Sequence, residues 1–334
     1  MKATPSYPPD RTRGDGSSPT FGRCFVTGAA GFIGSHLVEY LLARGNFVTG
    51  YDNLSSGKHK WVRGPLKNAR FKLVEADLLD LKALKRAVGN HDIVFHLAAN
   101  TDIPRGNSTP QIDFDNCIAG TFQMLEAMRA YGVKQLIFAS SSTVFGEPPI
   151  RPTPETIGPV LPISLYGAGK MAGEGLISAY SHLFGIQAWM FRFGNVVGAR
   201  MGHGVLRDFI RKLRTNPREL EILGDGEQEK NYFLVEDCIE GILFAFRQVR
   251  QKPCDVFNLG TETTIKVRDI ARVVADEMGL TGVKFQFTGG RRGWPGDVPV
   301  VVYDVSKMKK LGWSVRYSSA EAVRIATRRL LEKE

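Results

Sequence analysis

The chain has 334 residues, 43% of them hydrophobic and 23% charged. That balance argues for a folded globular protein rather than a disordered one. The formal net charge of +10 is spread with acidic residues interleaved and with no basic run of five, so it gives no reason to expect a nucleic-acid partner. No stretch reaches the ~18 consecutive apolar residues of a membrane-spanning helix. The opening segment MKATPSYPPDRTRGDGSSPT lacks the apolar heart of a secretory signal. Cys24, Cys117, Cys238 and Cys254 lie far apart with no CxxC pair. They suggest neither a disulfide framework nor a metal site, and they fit a reducing cytoplasm.

In chain order, residues 1–21 read as a disordered tail of Pro, Gly, Ser and charge. Short apolar runs at 23–27, 47–52, 71–76, 92–98, 135–141 and 187–193 read as strands. Amphipathic stretches at 33–44, 80–89, 111–131 and 167–184 read as the helices between them. Near-continuous apolar strands alternating with helices predict a doubly wound parallel α/β sheet covered on both faces. Beyond residue 194 the rhythm loosens. A strand at 220–223, the turn cluster GDGEQ at 224–228, helices at 237–250 and 267–278 and a strand at 257–260 follow, then a loop at 289–299. The predicted division is a Rossmann domain over 22–193, with 236–260 contributing, and a smaller substrate domain woven from 194–235 and 261–332.

Thr27-Gly-Ala-Ala-Gly-Phe-Ile-Gly34 follows the first strand and opens the first helix. Gly28, Gly31 and Gly34 let the backbone turn tightly and approach a pyrophosphate at the helix N-terminus. Asp52 ends the second strand, where a carboxylate can accept the adenine-ribose hydroxyls and repel a 2′-phosphate, so NAD is expected over NADP. Tyr166 and Lys170 stand at i and i+4, on one helix face. The Ser140–Ser142 run ends the fifth strand at the carboxyl edge, where such sheets bind ligands. An ammonium beside a phenol would lower the phenol pKa and make it a usable base. His96 reads as the end of a strand that orients a loop, and no metal ligand set is expected.

Together with YDNLSSG, ADLLD, HLAA, NCIAGT, SSSTVFG, YGAGK, RFGNVVGAR, GDGEQ, FNLG and RGWPGDVP, these motifs resemble the extended short-chain dehydrogenase/reductases over nearly all of 22–332. Within that fold they resemble the NAD-dependent nucleotide-sugar epimerase/dehydratase family, nearest to its UDP-glucose 4-epimerases. The resemblance implies tightly held NAD regenerated each cycle and a UDP-sugar substrate. It also implies a homodimer through a four-helix interface built from 111–131 and 167–184. Phe32 and Ile33 would offer N–H groups to the pyrophosphate, and Asp52, Asn53, Ser56 and Gly57 would hold the adenosine ribose. Asp77 and Leu78 would border the adenine, while Leu97, Ala98, Ala99 and Asn116 would line the path to the nicotinamide.

Ser141 would hold the reacting sugar hydroxyl, Tyr166 would be the base, and Lys170 would clamp the nicotinamide ribose. Asn195, Lys230, Arg292 and Asp297 would bind the diphosphate and uridine, and Val301, lacking a ring, would leave room for an N-acetyl group. The chain departs from the family pattern at Phe145, Gly194, Lys230 and Thr101. Ser142 and Thr143 stand where dehydratases of this family carry an acidic pair, which disfavours water elimination. Other nucleotide-sugar epimerases (acting on UDP-glucuronate, or at C2), a net reductase and an idle NAD-binding scaffold remain as alternatives.

Overall fold

The strand Arg23–Thr27 (β1) is buried from Cys24 onward and lies in the interior of the main sheet. The computed structural model describes residues 21–100, 102–249 and 252–332, so most of the tail and Thr101 lie outside the described residues. Beside β1 run Phe47–Asp52 (β2), Phe71–Glu75 (β3), Ile93–His96 (β4), Gln135–Ser141 (β5) and Gln187–Phe193 (β6). The strand Cys254–Leu259 completes a seven-stranded sheet. Its order is Cys254–Leu259, β6, β5, β4, β1, β2, β3, and every pairing is parallel. The order reverses between β1 and β4, and at such a switch point the loops part to leave a crevice at the carboxyl ends.

Helices cover both faces. On one side Leu37, Leu41, Phe95, Ile137, Phe191, Ile239 and Phe257 share a core, and the helix Val235–Gln248 packs into it. On the other, Phe25, Val94, Met124, Met128, Leu136, Phe138 and Ile177 share a second core. A third core belongs to the later chain and draws on Leu206, Phe209, Ile222, Ile270, Val274 and Ala326. The sheet is thus accompanied by a smaller second body, formed from segments on both sides of the strand Cys254–Leu259.

Several predicted boundaries shift for physical reasons. β4 stops at His96 because the N–H groups of Leu97 and Ala98 turn away to the Thr27 hydroxyl, both at 3.1 Å. The stretch 111–131 is helical but not uniform. Gln111–Asp113 leads into a π-helical segment, Phe114–Ala119, before Gly120–Tyr131 continues as α-helix. The long helix Leu165–Phe184 starts two residues early, because the Ser164 hydroxyl caps it by accepting the Gly167 N–H at 3.1 Å. Among the helices that were not predicted, the two longest are Val205–Thr215 and Ser319–Leu331.

Candidate active site

One cleft of about 650 Å³ lies over the carboxyl edge of the sheet. At its glycine-rich end the helix Phe32–Ala43 begins at Gly31 with no side-chain cap. The first N–H groups of any helix have no partner within it, so those of Phe32 and Ile33 are available to an anion. The turn must be glycine. Gly28 has φ +69°, and a Cβ on Gly34 would stand 2.0 Å from the Gly28 carbonyl oxygen. Asp52 braces this turn, accepting the Ala30 and Leu54 N–H groups at 2.8 Å each. Burial raises its pKa, and the smaller downward pull of those two N–H groups offsets only part of the rise. Asn53 donates to Asp77 at 2.7 Å, and Tyr51 donates its hydroxyl to the Asp77 carbonyl at 2.8 Å. Gly28, Gly31, Phe32, Ile33, Gly34, Asp52, Asn53, Ser56, Gly57, Asp77, Leu78, Leu97, Ala98, Ala99 and Asn116 all line this cleft. An uncapped helix start facing a braced carboxylate fits a dinucleotide.

The helix Leu165–Phe184 grips the end of β5 at three successive turns. Tyr166 shares a hydrogen bond with Ser141, and Lys170 Nζ donates to the Ala139 carbonyl at 2.7 Å. One turn on, Glu174 accepts the Ser140 hydroxyl at 2.5 Å and is held by Arg192 through two bonds of 2.9 and 2.7 Å. The Lys170 ammonium lies 5.7 Å from the centre of the Tyr166 ring. The expected lowering of the phenol pKa is overturned here. Burial dominates and pushes Tyr166 up, with Cys117 and Asp113 adding to it, while only the bond from Ser141 pulls down. Burial also lowers Lys170, against the charges of Cys117, Glu174 and Asp113.

His96 behaves as the sequence suggested. Thr27 Oγ1 lies 2.8 Å from Nδ1 and Thr121 Oγ1 lies 3.1 Å from Nε2, so both ring nitrogens are engaged. Burial holds its pKa at about 3. Among the described residues no group of three His, Cys, Asp or Glu could hold a metal ion.

Towards the later chain the cleft is lined by Asn195, Lys230 and Asp297, together with Gln228, Tyr232 and Trp294, which the sequence did not single out. Asn195 donates to the Asn231 carbonyl at 3.0 Å. Asp297 is buried and paired with Lys230, and it also accepts the Gly293 N–H at 3.1 Å. Two expected residues are not in the cleft wall. Arg292 is drawn off by the Asp297 carbonyl at 2.5 Å and by Glu147 at 2.9 Å. Val301 packs against the apolar cluster of Val144, Phe145 and Tyr303. Two buried atoms of the wall, Gln228 Oε1 and Trp294 Nε1, have no hydrogen-bond partner.

A glycine turn at the switch point with a Tyr–Lys face beside it defines the class: a nicotinamide-dinucleotide enzyme of doubly wound fold. Residues 24–260 match the NAD dependent epimerase/dehydratase family. The UDP-glucose 4-epimerase of Mycolicibacterium smegmatis is 33% identical over 309 residues, spanning 90% of this chain and 96% of that one. A crystal structure of a UDP-galactose 4-epimerase superposes with a TM-score of 0.84 at 39% identity, covering 93% of this chain and 99% of the other. The Thermus thermophilus UDP-glucose 4-epimerase, solved with NAD, gives 0.83 at 32% identity, covering 93% and 100%. The chain belongs to the NAD-dependent epimerase/dehydratase family, and NAD is its cofactor.

Proposed function

We propose that this protein inverts C4 of a UDP-hexose, interconverting UDP-glucose and UDP-galactose through a 4-keto sugar. The observation that carries the reading is the shared cleft: Ser141, Tyr166 and Lys170 stand at the end of β5 in continuity with the uncapped helix start at Gly31. When bound, NAD would supply the hydride acceptor for C4 and the hydride donor for its return. Tyr166 receives the proton of the C4 hydroxyl and later returns it, while Ser141 holds that oxygen in line with the phenol. Lys170 holds the nicotinamide ribose in this reading, supported by its fixed position against the Ala139 carbonyl. Ser142 and Thr143 offer no acid–base pair for losing water. The relatives named as UDP-glucose and UDP-galactose 4-epimerases support the hexose assignment.

We also propose the domain division given above, with 236–260 joining the Rossmann unit. It is supported by the helix Val235–Gln248 and the strand Cys254–Leu259, both of which pack into the sheet's core. A homodimer through helices 111–131 and 165–184 is proposed from their exposed apolar side chains, Phe114, Phe122, Leu183 and Phe184. Among the described residues no helix is long and apolar enough to cross a membrane. The deciding experiment incubates the purified protein with a panel of nucleotide sugars and no added NAD, resolving products by chromatography. Interconversion of UDP-glucose and UDP-galactose without accumulation of NADH is the expected result. Conversion of UDP-glucuronate alone would replace the hexose reading, and net NADH would replace the epimerase reading.

A further inference from the structure

The interleaving of positive and negative charge fails in one stretch. Between Leu54 and Val74 the chain carries six Lys or Arg (Lys58, Lys60, Arg63, Lys67, Arg70 and Lys72) and no Asp or Glu. Apolar groups tie this stretch down. Val62, Pro65 and Phe71 are buried, Val62 and Phe71 in the core that also holds Leu37 and Leu41. With those groups turned inward, all six cations are left exposed. None of the six has an ion-pair partner among the described residues. The next acid along the chain, Glu75, faces His59 at 3.5 Å.

Two large apolar side chains stand out among these charges, Leu66 at 49% and Phe47 at 50% exposure. Both belong to the same region. The Val48 N–H bonds the Arg70 carbonyl at 2.8 Å, which lays the start of β2 beside the end of the basic stretch. The Arg70 guanidinium lies 5.8 Å from the centre of the Phe47 ring, and Arg23 approaches that ring at 5.8 Å as well. Cations alone would suit any polyanion. Cations set around exposed Phe and Leu suit a surface that is anionic outside and apolar just beneath.

We propose that this face seats the protein on an anionic lipid surface. Arg63, Lys67 and Arg70 meet the headgroups, and Leu66 and Phe47 enter the boundary beneath them. The contact is peripheral. None of these five residues lines the cleft, so seating and turnover are separable.

The test is co-sedimentation of the protein, with its bound NAD, with vesicles of phosphatidylcholine alone and of equal parts phosphatidylcholine and phosphatidylserine. The expected result is binding to the mixed vesicles only, weakened by added salt because the attraction is screened. Each cation near such a surface contributes about 5-fold. The triple variant Arg63→Gln, Lys67→Gln, Arg70→Gln should therefore bind about 100-fold more weakly, with turnover unchanged. Leu66→Ser should lower binding to the mixed vesicles by about 3- to 10-fold and leave binding to a random-sequence DNA duplex as in wild type. Wild type that ignores the mixed vesicles or binds both kinds equally would overturn the proposal, as would a triple variant that binds like wild type. A silent Leu66→Ser would overturn it too, marking the face as one for nucleic acid or another polyanion. If the triple variant does not fold, the two vesicle types at low and high salt and the Leu66→Ser comparison still decide.

Discussion

Replacing His96 with Asn tests whether a neutral imidazole holds the wall along which the cofactor lies. The Thr27 hydroxyl oxygen already accepts the N–H groups of Leu97 and Ala98, so its hydrogen goes to His96 Nδ1. Nε2–H is then the donor to Thr121, whose own hydroxyl donates to the Cys117 carbonyl at 2.7 Å. A second ring proton would meet a hydroxyl with no lone pair to spare. This agrees with a pKa held at about 3 against the ordinary 6.5. Because the folded pKa lies below the unfolded one, the stabilisation is complete above about 6.5 and is lost as pH falls towards 3.

Between about pH 7.5 and about pH 5 the unfolded chain gains a proton here that the folded chain refuses. The shift spans ~1.5 pH units below the unfolded pKa, a loss of about 2 kcal/mol. Urea unfolding followed by circular dichroism, at both pH values and equal ionic strength, reads this directly. Wild type should lose about 2 kcal/mol more than His96→Asn over that interval. The packing penalty of the substitution is common to both pH values and cancels. Identical losses in the two proteins would show that the imidazole accepts a proton in place, and the reasoning would fall.

Tyr166→Phe should fold and keep NAD while turnover falls by about 10²- to 10⁴-fold; retention of more than about a third of the rate would remove Tyr166 from the chemistry. Since burial raises the Tyr166 pKa, the phenolate fraction and hence kcat/KM should climb as pH rises from neutral into the alkaline range. A profile falling over that range would contradict it. Asp52→Ala should weaken NAD by about 10- to 100-fold and NADP by less, measured by calorimetry, because the carboxylate both accepts from a ribose and repels a phosphate. Arg192→Met strands the buried Glu174 carboxylate and should cost about 3–5 kcal/mol of stability, most of it recovered by adding Glu174→Leu. A double variant no more stable than the single would show that the pair is not the source.

Much of the sheet is legible in the sequence, because central strands of a parallel sheet must be apolar on both faces, and runs such as Cys24–Thr27 and Leu136–Ala139 have that character. The glycine turn is legible because a φ of +69° at Gly28 and the close packing of Gly34 leave no alternative residue. The helix Ser319–Leu331 had a readable start: Ser318 and Glu321 form a reciprocal capping box, overlooked among the basic residues around it. Other features lie beyond local reading. The Trp294–Lys230 contact joins residues 64 apart in the chain, and the diversion of Arg292 depends on Glu147, 145 residues away. The direction of the Tyr166 shift is a contest between burial and charge, and only packing reveals how completely the phenol is desolvated.

The wide turn at Phe114–Ala119 sets the phase of the helix that follows. A π segment accommodates one residue more than regular helix would, and such insertions survive mainly where a site needs them. Each helical residue advances the direction of its side chain by about 100°, so everything after the insertion is rotated by that amount relative to a chain without it. Here Asn116 within the segment faces the cleft, while Met124 and Met128 beyond it are wholly buried in the sheet's core and Phe122 stays nearly half exposed. Removing one residue between 114 and 119 would force a choice: withdraw Asn116 from the cleft, or turn Met124 and Met128 out to water. The length of this stretch therefore cannot drift. An insertion or deletion there should be far more damaging than any single substitution nearby.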